Sequence, residues 1–187
     1  AAFDPKDDQY FGTPFWRPDG SSLLVQWMPR EQNVLKLYDI DLITGKKEEI
    51  YNEIQPTWVV WIENLHWVKD GFMMIRDFDG WKQIYLHDSD GSLRQKLTSG
   101  RMWDTKIIRV DEKSQQVYFT SKGEISTRND FYRVGFNGKH QQRLTFGEYN
   151  HKNIMLSPDN RYFMTWYDNS STPTRLGLVN VKNGKIK

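Results

Sequence analysis

The chain has 187 residues, 14% of them aromatic and none of them cysteine, and its 26 basic and 24 acidic residues leave a formal net charge of only +2. The two signs of charge are interspersed, so no basic stripe favours nucleic-acid binding, and the lack of cysteine excludes disulfides and cysteine-based metal sites. No apolar run reaches the roughly 18 residues of a membrane-spanning helix, and no signal peptide is predicted in this chain, so we expect it to be soluble.

Turn sequences recur along the chain at a constant spacing. The hairpin glycines are Gly45, Gly91, Gly138 and Gly184, which are 46, 47 and 46 residues apart. An earlier turn repeats in step with them, as RPDGSS (17–22), VKDGFM (68–73), DEKSQQ (111–116) and SPDNRY (157–162). Two registers that repeat together indicate one structural unit written four times. Two of the units also share a nearly identical segment, DGSLRQKLTSG (90–100) and NGKHQQRLTFG (137–147), in which we expect Leu97 and Leu144 to point inward.

The second and third units show the predicted elements clearly. The second unit reads LHWV, FMMIRDF, WKQIYLHD and SLRQKLT, with KDG, FDG and SDG between them. The third unit reads TKIIRV, QVYFTS, DFYRVGF and HQQRLT. Short apolar or alternating segments bounded by Asp-Gly and Asn-Gly predict four strands joined by hairpins with type I′ turns. No segment sustains helical spacing for more than about two turns.

Four-stranded units at this period are typical of β-propeller blades. The sequence therefore predicts an all-β fold of about four blades, at residues 10–56, 57–101, 102–148 and 149–187. A β-sandwich or barrel is the alternative. Blades that do not close into a ring leave two apolar faces, which favours self-association. Six tryptophans are expected to fill space between blades: Trp16, Trp27, Trp67, Trp81, Trp103 and Trp166.

The sequence contains no motif for catalysis or for binding a metal or cofactor. The nucleophile motif G-x-S-x-G is absent, so no catalytic residue is assigned. The four histidines, His66, His87, His140 and His151, stand in separate segments and are expected to be surface or satisfied core residues. Glu48 and Glu49 follow a hairpin turn and are expected to face solvent.

Seven segments, taken in order, resemble the N-terminal propeller of the dipeptidyl-peptidase IV family of prolyl-oligopeptidase-type serine peptidases, especially its bacterial members. They are QNVLKLYDIDLITGK (32–46), DGWKQIYLHDSDG (79–91), KLTSGRMWD (96–104), VYFTS (117–121), YRVGFNG (132–138), RLTFGEYNHKNIMLSPDNRYFMTWYDNSSTP (143–173) and VNVKNGK (179–185). The resemblance runs through essentially all of residues 10–187.

The resemblance implies an eight-bladed propeller that precedes an α/β-hydrolase domain, in an enzyme that removes X-Pro or X-Ala dipeptides from peptide N-termini. This chain resembles about four of those blades and lacks the hydrolase. It would then be a non-catalytic part that gates the active site and helps bind peptide substrate, in the periplasm or envelope of a bacterium. Its partners would be the missing blades, the hydrolase domain and the peptide. The alternative is a stand-alone propeller that binds a protein or ligand.

The resemblance also implies a candidate site. In the family, a loop that enters a blade contacts substrate, and the corresponding segment here is TWVVWIENLHW (57–67). Trp61 and Glu63 are therefore candidates for residues that face a substrate cavity, the alternative being a core tryptophan and a solvated glutamate. The arginines of animal members are missing from this loop. The family's paired glutamates, which hold the substrate amino group, belong to a segment that this chain does not contain.

Overall fold

The computed structural model describes residues 3–187, and the regular secondary structure within them consists of β-strands. The strands form four antiparallel sheets. The first contains β1 (Gln9–Phe11), β2 (Phe15–Trp16), β3 (Ser22–Pro29), β4 (Val34–Asp41) and β5 (Lys47–Ile54). The second contains β6 (His66–Val68), β7 (Gly71–Arg76), β8 (Gln83–Asp88) and β9 (Leu93–Lys96).

The third sheet contains β10 (Trp103–Asp111), β11 (Gln116–Lys122), β12 (Asn129–Gly135) and β13 (Gln142–Arg143). The fourth contains β14 (Asn150–Leu156), β15 (Tyr162–Asn169) and β16 (Thr172–Asn180). A bridge between Val179 and Ile186 puts the last residues beside β16, where a fourth strand would lie. In every sheet the strands follow one another in chain order, which confirms the prediction of propeller blades made of antiparallel hairpins.

The first strand of the first sheet is interrupted. Both β1 and β2 pair with β3, Phe11 opposite Trp27 and Phe15 opposite Leu24. Four steps along the chain on one strand therefore match three on the other, so Gly12–Pro14 contains one extra residue, as in a β-bulge. The sheet has five assigned strands but four strand positions.

The chain divides into two compact units. One is the chain up to Met74 together with Leu86–Arg94, and the other is Ile75–Tyr85 together with Gln95–Lys187. The core of the first unit contains Leu24, Met28, Leu35, Leu37, Tyr51, Val59, Ile62, Phe72 and Met74. A core cluster of the second contains Tyr118, Phe131, Leu144, Leu156, Phe163, Val179 and Val181. Leu97 and Leu144, from the two repeated segments, are both buried as predicted.

Burial differs between strands in a way that follows the blade prediction. Side chains of β3 alternate between buried and half-buried, and Tyr162–Trp166 of β15 alternate likewise. Val117–Ser121 of β11 and Gln83–His87 of β8 are buried without interruption, so both faces of those strands are covered. The expectation about tryptophan is wrong at two positions, because Trp16 is 58% exposed and Trp103 is 46% exposed.

Two histidines lie in the cores. His151 is buried, with Nε2 2.9 Å from the Phe146 carbonyl oxygen, and is a satisfied core residue as expected. His87 stacks on Phe72, and its Nδ1 lies 2.9 Å from the Gly91 carbonyl oxygen. Its buried Nε2 has no hydrogen-bond partner among the described residues, so that ring is satisfied on one side only. Burial lowers the pKa of both rings, which favours neutral imidazole in the folded chain.

The repeated hairpin glycines have positive φ, as predicted, but the turn type is different. At Gly91 the loop has three residues, and the Asp88 N–H donates to the Ser92 carbonyl at 2.9 Å. Glycine alone in this loop has positive φ, at 87°, whereas a type I′ turn needs two such residues. The hairpin is a type I turn followed by a left-handed glycine, the usual solution for three residues.

Gly91 also allows a close approach of two backbones. A Cβ added there would lie 1.6 Å from the carbonyl oxygen of Ile50 on β5, which is sterically impossible without backbone movement. Gly20, in an earlier turn, has a similar φ of 72° but no atom within 4 Å of such a Cβ. Substitution of each glycine by alanine therefore distinguishes the free-energy cost of the left-handed conformation, which both positions share, from that of the close approach, which only Gly91 has.

We expect Gly91→Ala to destabilise the chain by several kcal/mol, whereas Gly20→Ala should cost only roughly 1–2 kcal/mol of backbone strain. Urea unfolding followed by tryptophan fluorescence measures both free energies. Equal losses in the two variants would show that the Ile50 contact does not constrain this hairpin.

Candidate functional site

The connection between β5 and β6, residues 55–65, contains both residues that the sequence proposed as a site. Its side chains differ in burial. Val59 and Ile62 are buried in the core of the first unit, while Trp58 is 79% exposed and Val60 is 56% exposed. The loop thus anchors itself with two apolar side chains and presents two others to solvent.

One buried side chain fixes this loop at Ile62. Gln26, on β3, is completely buried, and its Oε1 accepts a hydrogen bond from the Ile62 N–H at 2.8 Å. Its Nε2 donates to the carbonyl oxygens of Ile62 at 3.1 Å and Thr13 at 2.8 Å. The side-chain amide therefore pairs with both backbone groups of Ile62, as a neighbouring strand would. The loop is also held at Val59, whose N–H donates a hydrogen bond to the Gln32 carbonyl at 2.8 Å.

Trp61 and Glu63 lie on either side of this anchored residue. Trp61 is half-buried and packs against the core, and its ring lies so close to Gly12 that a Cβ there would be 2.6 Å from it. Glu63 is exposed. Trp61 thus has a packing role in the first unit, and contact of either residue with substrate stays a prediction.

Sequence reasoning missed the most exposed apolar residues of the loop, Trp58 and Val60. The sequence contains no signal that separates them, because Trp58–Ile62 is a continuous apolar run and only the structure shows that Val59 and Ile62 are its buried members. Exposed large apolar side chains next to a carboxylate suit a ligand that has both apolar and cationic groups. The loop offers contacts of this kind and contains no serine or cysteine.

The acidic pair that follows a hairpin turn faces solvent, as expected. Glu48 and Glu49 are exposed on β5. The Lys36 ammonium donates to Glu49 at 2.8 Å, and the Lys46 ammonium lies 3.3 Å from Glu48.

Among residues 3–187 no three histidine, aspartate or glutamate side chains converge as metal ligands would. No helix within the same residues is long and apolar enough to cross a membrane.

The sheets and their connections define a class of protein, the β-propeller domain. The family model described as "Dipeptidyl peptidase IV (DPP IV) N-terminal region" matches residues 2–174. The chain therefore belongs to this family, as its sequence segments predicted.

Curated relatives and solved structures agree with this assignment. The chain is 28% identical over 191 residues to dipeptidyl peptidase 4 of Arthroderma otae, covering 97% of this chain and 24% of that protein. It is 30% identical over 141 residues to dipeptidyl peptidase 4 of Trichophyton equinum, covering 71% of this chain and 18% of that protein. The chain thus spans at most about a quarter of these relatives' length.

Two bacterial structures have the same fold. The crystal structure of Porphyromonas gingivalis dipeptidyl peptidase 4 matches with a TM-score of 0.82 and 24% identity, over 99% of this chain and 26% of that one. A putative dipeptidyl aminopeptidase IV from Bacteroides ovatus matches with a TM-score of 0.76 and 23% identity, over 96% of this chain and 28% of that one. At these identities the likeness establishes the fold alone.

The Gln26 anchor gives a testable prediction. Gln26→Leu leaves the polar backbone groups of Ile62 and Thr13 without their partners, so we expect a loss of roughly 2–4 kcal/mol in the free energy of unfolding and faster proteolysis of residues 55–65. Gln95→Leu, which changes an exposed glutamine on β9, is the control and should alter neither quantity. A Gln26→Leu chain as stable and as protease-resistant as the parent would contradict the anchoring role.

Proposed function

We propose that this chain is a non-catalytic propeller portion of a dipeptidyl-peptidase IV-like serine exopeptidase, which removes X-Pro or X-Ala dipeptides. The observation that carries the proposal is the family match over residues 2–174, together with relatives named dipeptidyl peptidase 4 that are about four times as long. In such a protein the propeller gates a buried active site and helps to hold the peptide. The remaining blades and an α/β-hydrolase domain supply the rest of the enzyme.

The loop at residues 55–65 is the substrate-facing element in this proposal. Its anchoring by Gln26 supports the assignment, because a binding surface is more effective when it is fixed before the ligand arrives. Trp58 and Val60 supply apolar contact area, Glu63 supplies a negative charge for a substrate ammonium, and Trp61 holds the segment against the core of the first unit.

We place the proposed location in the periplasm or cell envelope of a bacterium, as the resemblance of the sequence segments to bacterial members of the family implies. A natural chain that ends without a hydrolase domain would favour the second candidate, a stand-alone propeller that binds a protein or ligand.

Substitutions in the loop test the proposed binding role within the full-length protein. Because Trp58 contributes binding area and no reacting group, we expect Trp58→Ala to raise KM for a Gly-Pro chromogenic substrate at least about threefold while kcat changes less than about twofold. Ile43→Ala, at a hairpin tip at the opposite end of the same sheet, is the control and should change neither. The isolated 187-residue chain should show no turnover, and turnover by it would overturn the proposal. Loop variants with unchanged KM would remove only the binding role.

Self-association of the isolated chain follows from the outer face of the fourth sheet. Met155, Met164 and Leu178 lie in one cross-strand row, and Trp166 lies opposite Leu176 in the next. Phe163 and Thr165, which point the other way, are buried. An apolar face of this kind is usually covered by another sheet, and in the isolated chain a second copy covers it.

Light scattering of the isolated chain should therefore give a mass above that of one copy, rising with concentration. We expect Leu178→Asp to restore a single-copy mass, because a carboxylate within this face would lose its hydration on association. Ile43→Asp places the same charge on an exposed hairpin tip and should leave the mass unchanged. A parent chain that remains a single copy at every concentration would exclude this interface.

A further inference from the structure

Two cavities lie at one end of the third sheet. Strand direction alternates in an antiparallel sheet, so the segment before β10, the β11–β12 connection and the segment after β13 all lie at the same end. One cavity, of about 300 Å³, is lined by residues from Ser99–Met102 and Gly123–Arg128, and by Asp130, Tyr132 and Gln141. The other, of about 420 Å³, is lined by residues from Ile125–Arg128, Glu148–Asn150 and Asp168–Ser170. Ile125 and Arg128 belong to both.

A buried charge cluster lies beneath the shared wall of the two cavities. Asp130 is 2% exposed, and its Oδ1 accepts hydrogen bonds from Arg143 Nε at 2.8 Å and Thr145 Oγ1 at 2.6 Å. Its Oδ2 accepts one from Arg128 Nε at 3.2 Å. One buried carboxylate thus pairs with two guanidinium groups. These three groups carry a net charge of +1 before any exposed residue is counted.

The balancing charge is an exposed one. Arg128 Nη1 donates to Glu148, whose side chain is 76% exposed. Arg128 Nη2 makes no hydrogen bond within the described part of the chain. An exposed glutamate contributes little as an ion-pair partner, because it must give up side-chain freedom and is screened by water and salt. Because Arg128 lines both cavities, another carboxylate that displaces Glu148 can bind its two Nη groups as a fork.

The smaller cavity supplies further donors. The Tyr132 hydroxyl, which lies beside Gly123, has no hydrogen-bond partner among residues 3–187. Burial raises the pKa of Tyr132, so the hydroxyl keeps its proton and can donate it. Arg101 is a second, exposed cation in the lining of this cavity. Met102 and Ile125 form the apolar part of the cavity wall. Apart from Asp130, the acidic residue of this lining is Glu124, which is exposed.

We propose that the smaller cavity, which we call the Arg128 cavity, is a binding site for a small organic carboxylate such as the C-terminus of a short peptide. The ligand carboxylate pairs with the Arg128 guanidinium and the Tyr132 hydroxyl, and its carbon skeleton contacts Met102 and Ile125. Glu148 is an internal competitor that occupies Arg128 until the ligand displaces it. The site is independent of the loop at residues 55–65 and of the proposed peptidase function.

The test uses isothermal titration calorimetry of the 187-residue chain with three probes: N-acetyl-dialanine, its C-terminal amide, and butyrate. We expect N-acetyl-dialanine to bind and the amide to bind at least about tenfold more weakly, because the amide lacks the charge that pairs with Arg128. Binding of butyrate as strong as that of the peptide would identify a free small acid as the ligand; weaker binding would identify a peptide C-terminus. Equal binding of the carboxylate and the amide, or no binding of either acid, would overturn the proposal.

Three variants locate the site. Arg128→Gln should weaken carboxylate binding about tenfold or more, and Glu148→Gln should strengthen it several-fold by removing the competitor. Arg133→Gln is the matched control, since Arg133 lies on the same strand and bonds Gln142 at 2.8 Å without lining either cavity, and it should bind like the parent. If Arg128→Gln does not fold, Tyr132→Phe takes its place, with an expected loss of several-fold. Affinity that Glu148→Gln does not raise would also contradict the proposal.

Discussion

A single four-stranded antiparallel sheet whose residues are apolar on both faces is not stable in water, because by itself it leaves both faces exposed to solvent. This constraint accounts for the repetition in the chain. Val117–Ser121 of β11 and Gln83–His87 of β8 are buried without interruption, as strands covered on both sides must be. In β3 and in Tyr162–Trp166 of β15 burial alternates instead, so one face of each is less covered. Repetition of one sheet, rather than enlargement of it, is how this sequence meets the requirement.

The same architecture separates structure from recognition. Strand pairing and inward side chains are repeated from sheet to sheet, and they leave little room for variation. The connections at the sheet ends are under no such restriction. The loop at residues 55–65 joins the first sheet to the second, the connection at residues 123–128 joins two strands of the third sheet, and the two differ in length and charge. Both candidate binding surfaces are therefore formed mainly by connections, with Tyr132 of β12 added in one of them, and neither lies on the repeated hairpin that contains Gly91 or Gly138.

The sequence allowed the repeat, the blades and the buried Leu97 and Leu144 to be predicted, because turn glycines and alternating apolar residues are local signals that recur. The type I′ turns were wrongly predicted because an Asp-Gly pair occurs in both two- and three-residue loops, and the hydrogen bonds around Gly91 decide between them. Exposure of Trp16 and Trp103 depends on what covers each sheet, which no local pattern records.

The candidate sites were less accessible to sequence reasoning. Trp61 and Glu63 were found through resemblance, and their surroundings show one packed ring and one exposed carboxylate. Gln26 and the cluster around Asp130 could not be predicted, since a buried polar residue inside a strand looks like any solvent-facing one until its partners are known. Their partners are as many as 36 residues away along the chain, as for Gln26 and Ile62.

The bond pair between Gln26 and Ile62 has a consequence for how this connection can evolve. Strands that pair along their whole length must change together, whereas this segment is attached at separate points, among them Ile62 through the Gln26 amide and Val59 through one backbone hydrogen bond. Insertions and deletions between Ile62 and His66 would leave both of these attachments in place. The conformation and the ligand contacts of the loop can therefore change during evolution while the packing of the sheet stays the same.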